Sequence, residues 1–139
     1  IERSHNMSHR KIVPAGSTPP FGAYSHAVVA DIGTSELAFV TGQIALDDQG
    51  QLISTDSAEQ AQAVFQKVQD ILESAGFELT DVVKAQIFLT DVSDFEVVAP
   101  IRDKFFEEAK PASTLVEVTA LVREGCKVEV EVTAVRAKR

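Results

Sequence analysis

The sequence predicts an α+β domain in which two helices cover one face of a sheet, and three observations carry that prediction. Apolar and polar residues alternate through residues 82–90, 114–121 and 127–135, the period of half-buried strands. Residues 58–75 change to spacings of three and four, the period of a helix lying on a core. The elements run strand, strand, strand, helix, strand, helix, strand, strand, and two helices suffice for one face of such a sheet.

Lys11-Ile12-Val13 opens the order as a short strand. Residues 14–23 then carry three prolines and two glycines, the composition of an ordered loop. Strands at 24–30 and 37–44 are joined by the turn residues 31–35, which predicts an antiparallel pair, and a second turn follows at 47–51. In the helix at 58–75, Ala58, Ala61, Phe65, Val68, Leu72 and Ala75 form the apolar stripe, widened by Val64 and Ile71. Ser57 and Gln60 have capping-box spacing at its start, and Gly76 stands where a left-handed terminator belongs.

The strand at 82–90 sets Val83, Ala85, Ile87 and Leu89 against Lys84, Gln86, Phe88 and Thr90. A capping-box spacing recurs at Ser93 and Glu96, before Val97, Val98, Ile101, Phe105 and Phe106 at helical intervals. Pro100 has no N–H and restricts Ala99, which predicts a short turn over 94–98 and a helix restarting with Pro100 in its first turn. After Pro111 come the strands at 114–121 and 127–135, separated by residues 122–125. The last strand turns Val128, Val130, Val132 and Ala134 toward the helices. Its other face carries Lys127, Glu129, Glu131 and Thr133, joined by Glu117, Thr119, Lys84 and Gln86, and is either solvated or an assembly interface.

A chain of 139 residues is one domain's worth, and 45% apolar with 24% charged residues is a globular composition. Thirteen basic against 21 acidic residues leave a net charge of −8, which disfavours a nucleic-acid surface; the only basic cluster is Arg136, Lys138 and Arg139 at the C-terminus. No apolar stretch approaches the roughly 20 residues of a membrane-spanning helix, so no membrane partner is expected. Cys126 is the single cysteine, which excludes an intrachain disulfide or a cysteine-rich zinc site and fits a reduced, cytoplasmic setting. Residues 1–6, ahead of Met7, read as an expression scar, with the domain at 7–139. Only His9 and His26 then remain, so a two-histidine metal site within one chain is not expected, although symmetry-related His26 side chains could meet in an oligomer.

Several segments carry a resemblance in order along residues 11–136: Tyr24-Ser25-His26 after Pro-Pro-Phe-Gly, Val40-Thr41-Gly42-Gln43-Ile44, Glu73-Ser74-Ala75-Gly76-Phe77, Phe88-Leu89-Thr90-Asp91, Pro111-Ala112, Val116-Glu117-Val118 and Val128-Glu129-Val130-Glu131. Together they resemble the reactive-intermediate deaminase family, also called RidA, YjgF or endoribonuclease L-PSP. The resemblance implies a chorismate-mutase-like two-layer fold with a mixed sheet. It further implies a homotrimeric barrel with helices outside, and small-molecule sites in the clefts between subunits. There an arginine would bind the carboxylate of an enamine or imine, and a glutamate of the C-terminal strand would orient water. No cofactor or metal is implied.

Carried over by position, the family's loop tyrosine is Tyr24, its glycine after the third strand is Gly42, and its strand glutamate is assigned to Glu131. The arginine that follows Pro-Ala in active members is Ser113 here, a cysteine two positions on is Leu115, and a helix asparagine is Ala99. The loop between Phe106 and Pro111 is also shorter. Ser113 and Thr114 offer single neutral hydrogen bonds in place of a bidentate cation, which predicts weak handling of carboxylate-bearing enamines. Lys110, Arg102 and Arg123 are the candidate substitutes. His26 is a candidate acid or base because an imidazole titrates near neutrality, and a structural histidine otherwise. Cys126, without a recognisable histidine partner, is read as structural. Two functions stay open: a deaminase-type hydrolase with Glu131 as its catalytic carboxylate and Tyr24, Gly42, Ser113 and Thr114 binding substrate, or a trimer that binds a metabolite without turnover. A ribonuclease is disfavoured by the charge and the lack of paired histidines.

Overall fold

The computed structural model describes residues 8–139, so the segment read as an expression scar and Met7 lie outside the described residues. Strands β1 (His9–Ile12), β2 (Ala27–Asp31) and β3 (Ser35–Gln43) precede helix α1 (Ser57–Ser74), followed by β4 (Val82–Leu89), helix α2 (Phe95–Phe105), β5 (Ala112–Glu117) and β6 (Val128–Ala137). The predicted order of elements is the observed one. One six-stranded sheet runs β1-β2-β3-β6-β4-β5; β4 and β5 pair in parallel and every other neighbour antiparallel. The α+β expectation, two helices on a mixed sheet, is thus met.

Helix α1 lays Ala61, Val64, Phe65, Val68 and Leu72 against the sheet, all fully buried, and Val128, Val130, Val132 and Ala134 of β6 meet them from below. Fully burying a large apolar side chain is worth about 1.5–3 kcal/mol, so the α1 stripe is the main source of cohesion between the layers. Phe65 stacks on Phe105 with centroids 5.5 Å apart and meets Phe106 edge-on at 5.5 Å, which seats the end of α2 on α1. Gly76 ends α1 with φ +88°, as its position predicts.

Three local expectations change. The α1 cap is Asp56, whose Oδ2 accepts from Glu59 N at 2.9 Å, rather than a Ser57–Gln60 box. Gln60 instead points inward, fully buried, donating to Ser54 O and Gly125 O at 2.8 Å and accepting from Lys127 N at 2.7 Å. Helix α2 does not restart at Pro100 but runs through it from Phe95, after a 3₁₀ turn at Val92–Asp94 capped by the Asp91 carboxylate on Ser93 N. Pro100 falls early in α2, so the contact and the missing N–H involve the carbonyl of Glu96 in the exposed first turn, while buried Val98 and the Phe65–Phe105 stack hold the helix on either side. Finally, the register of β4 against β6 shifts between Val82 and Lys84. Val82 takes the buried place expected of Val83, which is left 48% exposed.

Residues 118–127 leave the sheet, so β5 stops at Glu117 rather than at Leu121, and β2 starts at Ala27 rather than Tyr24. A second irregularity interrupts β3. Val40 pairs with Val132 and Gln43 with Val130, which leaves Thr41 and Gly42 together opposite Glu131. Such a bulge re-aims side chains and bends the strand, and here it lies beside a cavity.

Candidate functional site

That cavity has a volume of about 540 Å³. The loop at 14–24 forms one wall with Pro19, Pro20, Phe21 and Tyr24; the end of β3 and Glu129 of β6 form the floor. Lys67 and Ile71 of α1 close the inner side, and Val122 and Arg123 of the β5–β6 loop form the rim. Most of this lining is apolar, with a few charged groups aimed at one space, the usual composition of a small-molecule site.

Each polar member is positioned by its element. Tyr24 follows a tight turn in which its N–H donates to Gly22 O at 2.9 Å, and its ring folds back over Gly22, where a Cβ would stand 3.3 Å from the ring edge. The ring is 51% exposed, so the phenol end is open to a ligand. His26 anchors the loop: its N–H donates to Ile12 O at 3.1 Å and its carbonyl accepts from Thr41 N at 2.9 Å. Its Nε2 lies 2.9 Å from Thr18 O. A carbonyl only accepts, so Nε2 carries a proton and donates it.

Glu129 is the carboxylate on the sheet floor of the cavity. Burial, and then the neighbouring Glu131 charge, raise its pKa above the ordinary glutamate value. The missing side chain of Gly42 is what admits it: a Cβ there would overlap the Glu129 carboxylate and stand 2.9 Å from its Cδ. Gly42→Ala is therefore expected to displace the carboxylate and lower any activity of the site at least about tenfold. It should leave the urea midpoint nearly unchanged, because Gly42 does not need a left-handed backbone. Wild-type activity in that variant would separate the glycine from the site.

Lys67 donates to Ile44 O at 2.9 Å and Leu46 O at 3.1 Å, tying the β3–α1 connection to the helix, and burial lowers its pKa. Cys126 is buried, its thiol pKa raised by desolvation, the opposite of an activated nucleophile.

The sequence-derived residues are only partly brought together. Tyr24 and Gly42 line the cavity, and so does His26. Glu131 does not; Glu129, two residues earlier on the same face of β6, does. Ser113 and Thr114 lie exposed on β5, with β6 and β4 between them and β3, and do not border the cavity within one subunit. Among the three candidate cations, Arg102 pairs with Asp103 at 3.0 Å and lies over Phe95, and Lys110 donates to Glu107 O at 2.6 Å; neither borders the cavity. Arg123 does. Lys67 also borders the cavity, and a lone lysine on a helix has no sequence signal that distinguishes it from a surface charge.

The fold and the cavity together define a small two-layer α+β protein with a half-buried glutamate at a strand bulge. Residues 15–136 match the family described as Endoribonuclease L-PSP, and the chain belongs to this family, that of RidA and YjgF. It is 35% identical to the 2-iminobutanoate/2-iminopropanoate deaminase of Bos taurus over 129 residues, covering 91% of this chain and 90% of that one. Among solved structures, RidA from an Antarctic Psychrobacter superposes with a TM-score of 0.77 at 32% identity, over 90% of this chain and 98% of that one. E. coli TdcF with bound serine gives 0.78 at 29%, over 92% and 99%. Among the described residues no group of three or more His, Cys, Asp or Glu side chains could hold a metal ion, and no helix is long and apolar enough to cross a membrane.

Proposed function

We propose that this chain hydrolyses small imines and their enamine tautomers in the cavity beside Glu129. The observation that carries the reading is the half-buried Glu129 carboxylate held at the Gly42 bulge, with a raised pKa, on the floor of the cavity. A carboxylate so placed can take a proton from water as the water oxygen bonds to the imine carbon. The C=N π pair moves to nitrogen, which is protonated; the resulting carbinolamine then expels ammonia as the C=O bond forms. The net change is imine plus water giving ketone plus ammonia. The names of the relatives support 2-imino acids as the substrate class. The −8 charge and a cavity containing one histidine argue against RNA cleavage, despite the family's description.

The test is ammonia release from 2-iminobutanoate generated in situ by an amino-acid oxidase, with and without the protein. Acceleration supports the reading, and a rate equal to that in buffer overturns it. Ser113 at the position of the family's arginine favours the second reading, a trimer that binds a metabolite without turnover; binding without ammonia release would establish it.

The proposal includes a homotrimer, with Ser113 and Thr114 of one subunit facing the cleft of the next. It is supported by the unpaired β5 edge and by the helix-free sheet face, where Phe39 and Val116 stay exposed. Light scattering is expected to give about three times the 15.0 kDa chain mass, and a monomer at micromolar concentration would overturn this part.

A further inference from the structure

A carboxylate ligand can settle beside the Glu129 carboxylate only if a cation faces it, because like charges repel strongly away from bulk water. Two cationic side chains border this cavity, and they are held differently. Lys67 is committed to the carbonyls of Ile44 and Leu46, with Asp48 its strongest favourable charge. Arg123 is not committed. Its guanidinium lies over the Phe21 ring, 4.9 Å from the centroid, and Nη1 donates to Gly50 O at 3.2 Å. Among the described residues it makes no ion pair and no second side-chain hydrogen bond, so Nε and Nη2 remain available.

Of the other carboxylates on the cavity wall, Asp48 acts on Lys67, and none of the described ones pairs with Arg123. Asp47 Oδ1 accepts from Gln49 N and Gln51 N at 2.9 Å, and Asp70 Oδ1 accepts from the Gln66 amide at 3.0 Å. With Phe21 on one side and Gly50 O on Nη1, the remaining guanidinium N–H groups can form a fork with an incoming carboxylate.

We propose that Arg123 is the carboxylate anchor of the Glu129 cavity for the 2-imino acids of that reading and their 2-oxo acid products, supplied by the same subunit from the β5–β6 loop. This rests on the hydrolase reading for the reaction but not for the binding. The anchor replaces, from a different element, the cation that Ser113 does not provide.

The test measures binding of 2-oxobutanoate and of the uncharged 2-oxobutanamide by calorimetry, with ammonia release from 2-iminobutanoate assayed in parallel, on the full chain. Wild type is expected to prefer the oxoacid at least about tenfold; Arg123→Met should lose that preference by weakening the oxoacid while leaving the amide within about threefold. Arg123→Lys, which keeps the charge without the fork, should fall between them and serves if the methionine variant does not fold. Equal preference in wild type and Arg123→Met, or no preference in wild type, overturns the anchor. Oxoacid binding that depends on Arg123 without ammonia release overturns the hydrolase reading and leaves the anchor standing. Ammonia release undiminished in Arg123→Met does the reverse.

Discussion

Glu129→Gln is expected to lower imine hydrolysis by about 10²–10⁴-fold, the usual contribution of a positioned general base, while the protein stays folded. Glutamine keeps the volume and can still hydrogen-bond, but it cannot take a proton from water. The matched change at Glu131 should behave differently. Because Glu131 lies outside the cavity and acts on Glu129 through its charge, Glu131→Gln should keep most of the activity. The sign of its pH effect follows from that charge: Glu131 raises the Glu129 pKa, so removing it lowers that pKa. Activity that depends on ionised Glu129 should then survive to lower pH in Glu131→Gln than in wild type. Steady-state rates from pH 4 to pH 8 would check both variants. A larger loss from Glu131→Gln than from Glu129→Gln would return the catalytic role to Glu131.

The second large effect concerns stability. Gln60→Leu replaces a fully buried amide that serves three backbone groups at once: the carbonyls of Ser54 and Gly125 and the N–H of Lys127. Leucine leaves all three without a partner, and an unsatisfied buried polar group costs about 1–3 kcal/mol. Some relax toward water, so a loss of roughly 3–5 kcal/mol is expected in urea unfolding, a large share of the total for a domain of this size. Gln60→Glu should also destabilise, because a carboxylate cannot donate to the two carbonyls. A loss below about 1 kcal/mol in Gln60→Leu would show that the three segments do not rely on this amide. They include the end of the β5–β6 loop that carries Arg123, so the same variant should also weaken oxoacid binding.

The elements were legible because each is written in a local period. The α1 stripe from Ala61 to Leu72 and the Val128–Ala134 alternation identify themselves without reference to any neighbour, and both are buried as their spacing predicts. Gly76 was legible for a similar reason, since a left-handed helix end has one favoured residue. Gln60 was not. Its spacing from Ser57 fits a capping box as well as it fits a buried clasp, and the choice depends on Ser54, Gly125 and Lys127, two of them more than 60 residues away. Helix α2 runs through Pro100 against the sequence expectation because the steric rule for proline is local, while the packing of Val98 and Phe105 that carries α2 through it is not.

By itself, then, the sequence determined the order of the elements, their buried faces, the family, the net charge of −8 and the serine at position 113. Which of the two β6 glutamates borders the cavity was decided only by tertiary structure. A strand's period of two sets Glu129 and Glu131 on one face as equals; the bulge at Thr41 and Gly42, a matter of pairing between β3 and β6, opens the space that Glu129 alone fills. The placing of Arg123 is of the same kind: its loop, the Phe21 loop and the end of β3 are distant in sequence and meet only when the sheet order brings β6 beside β3.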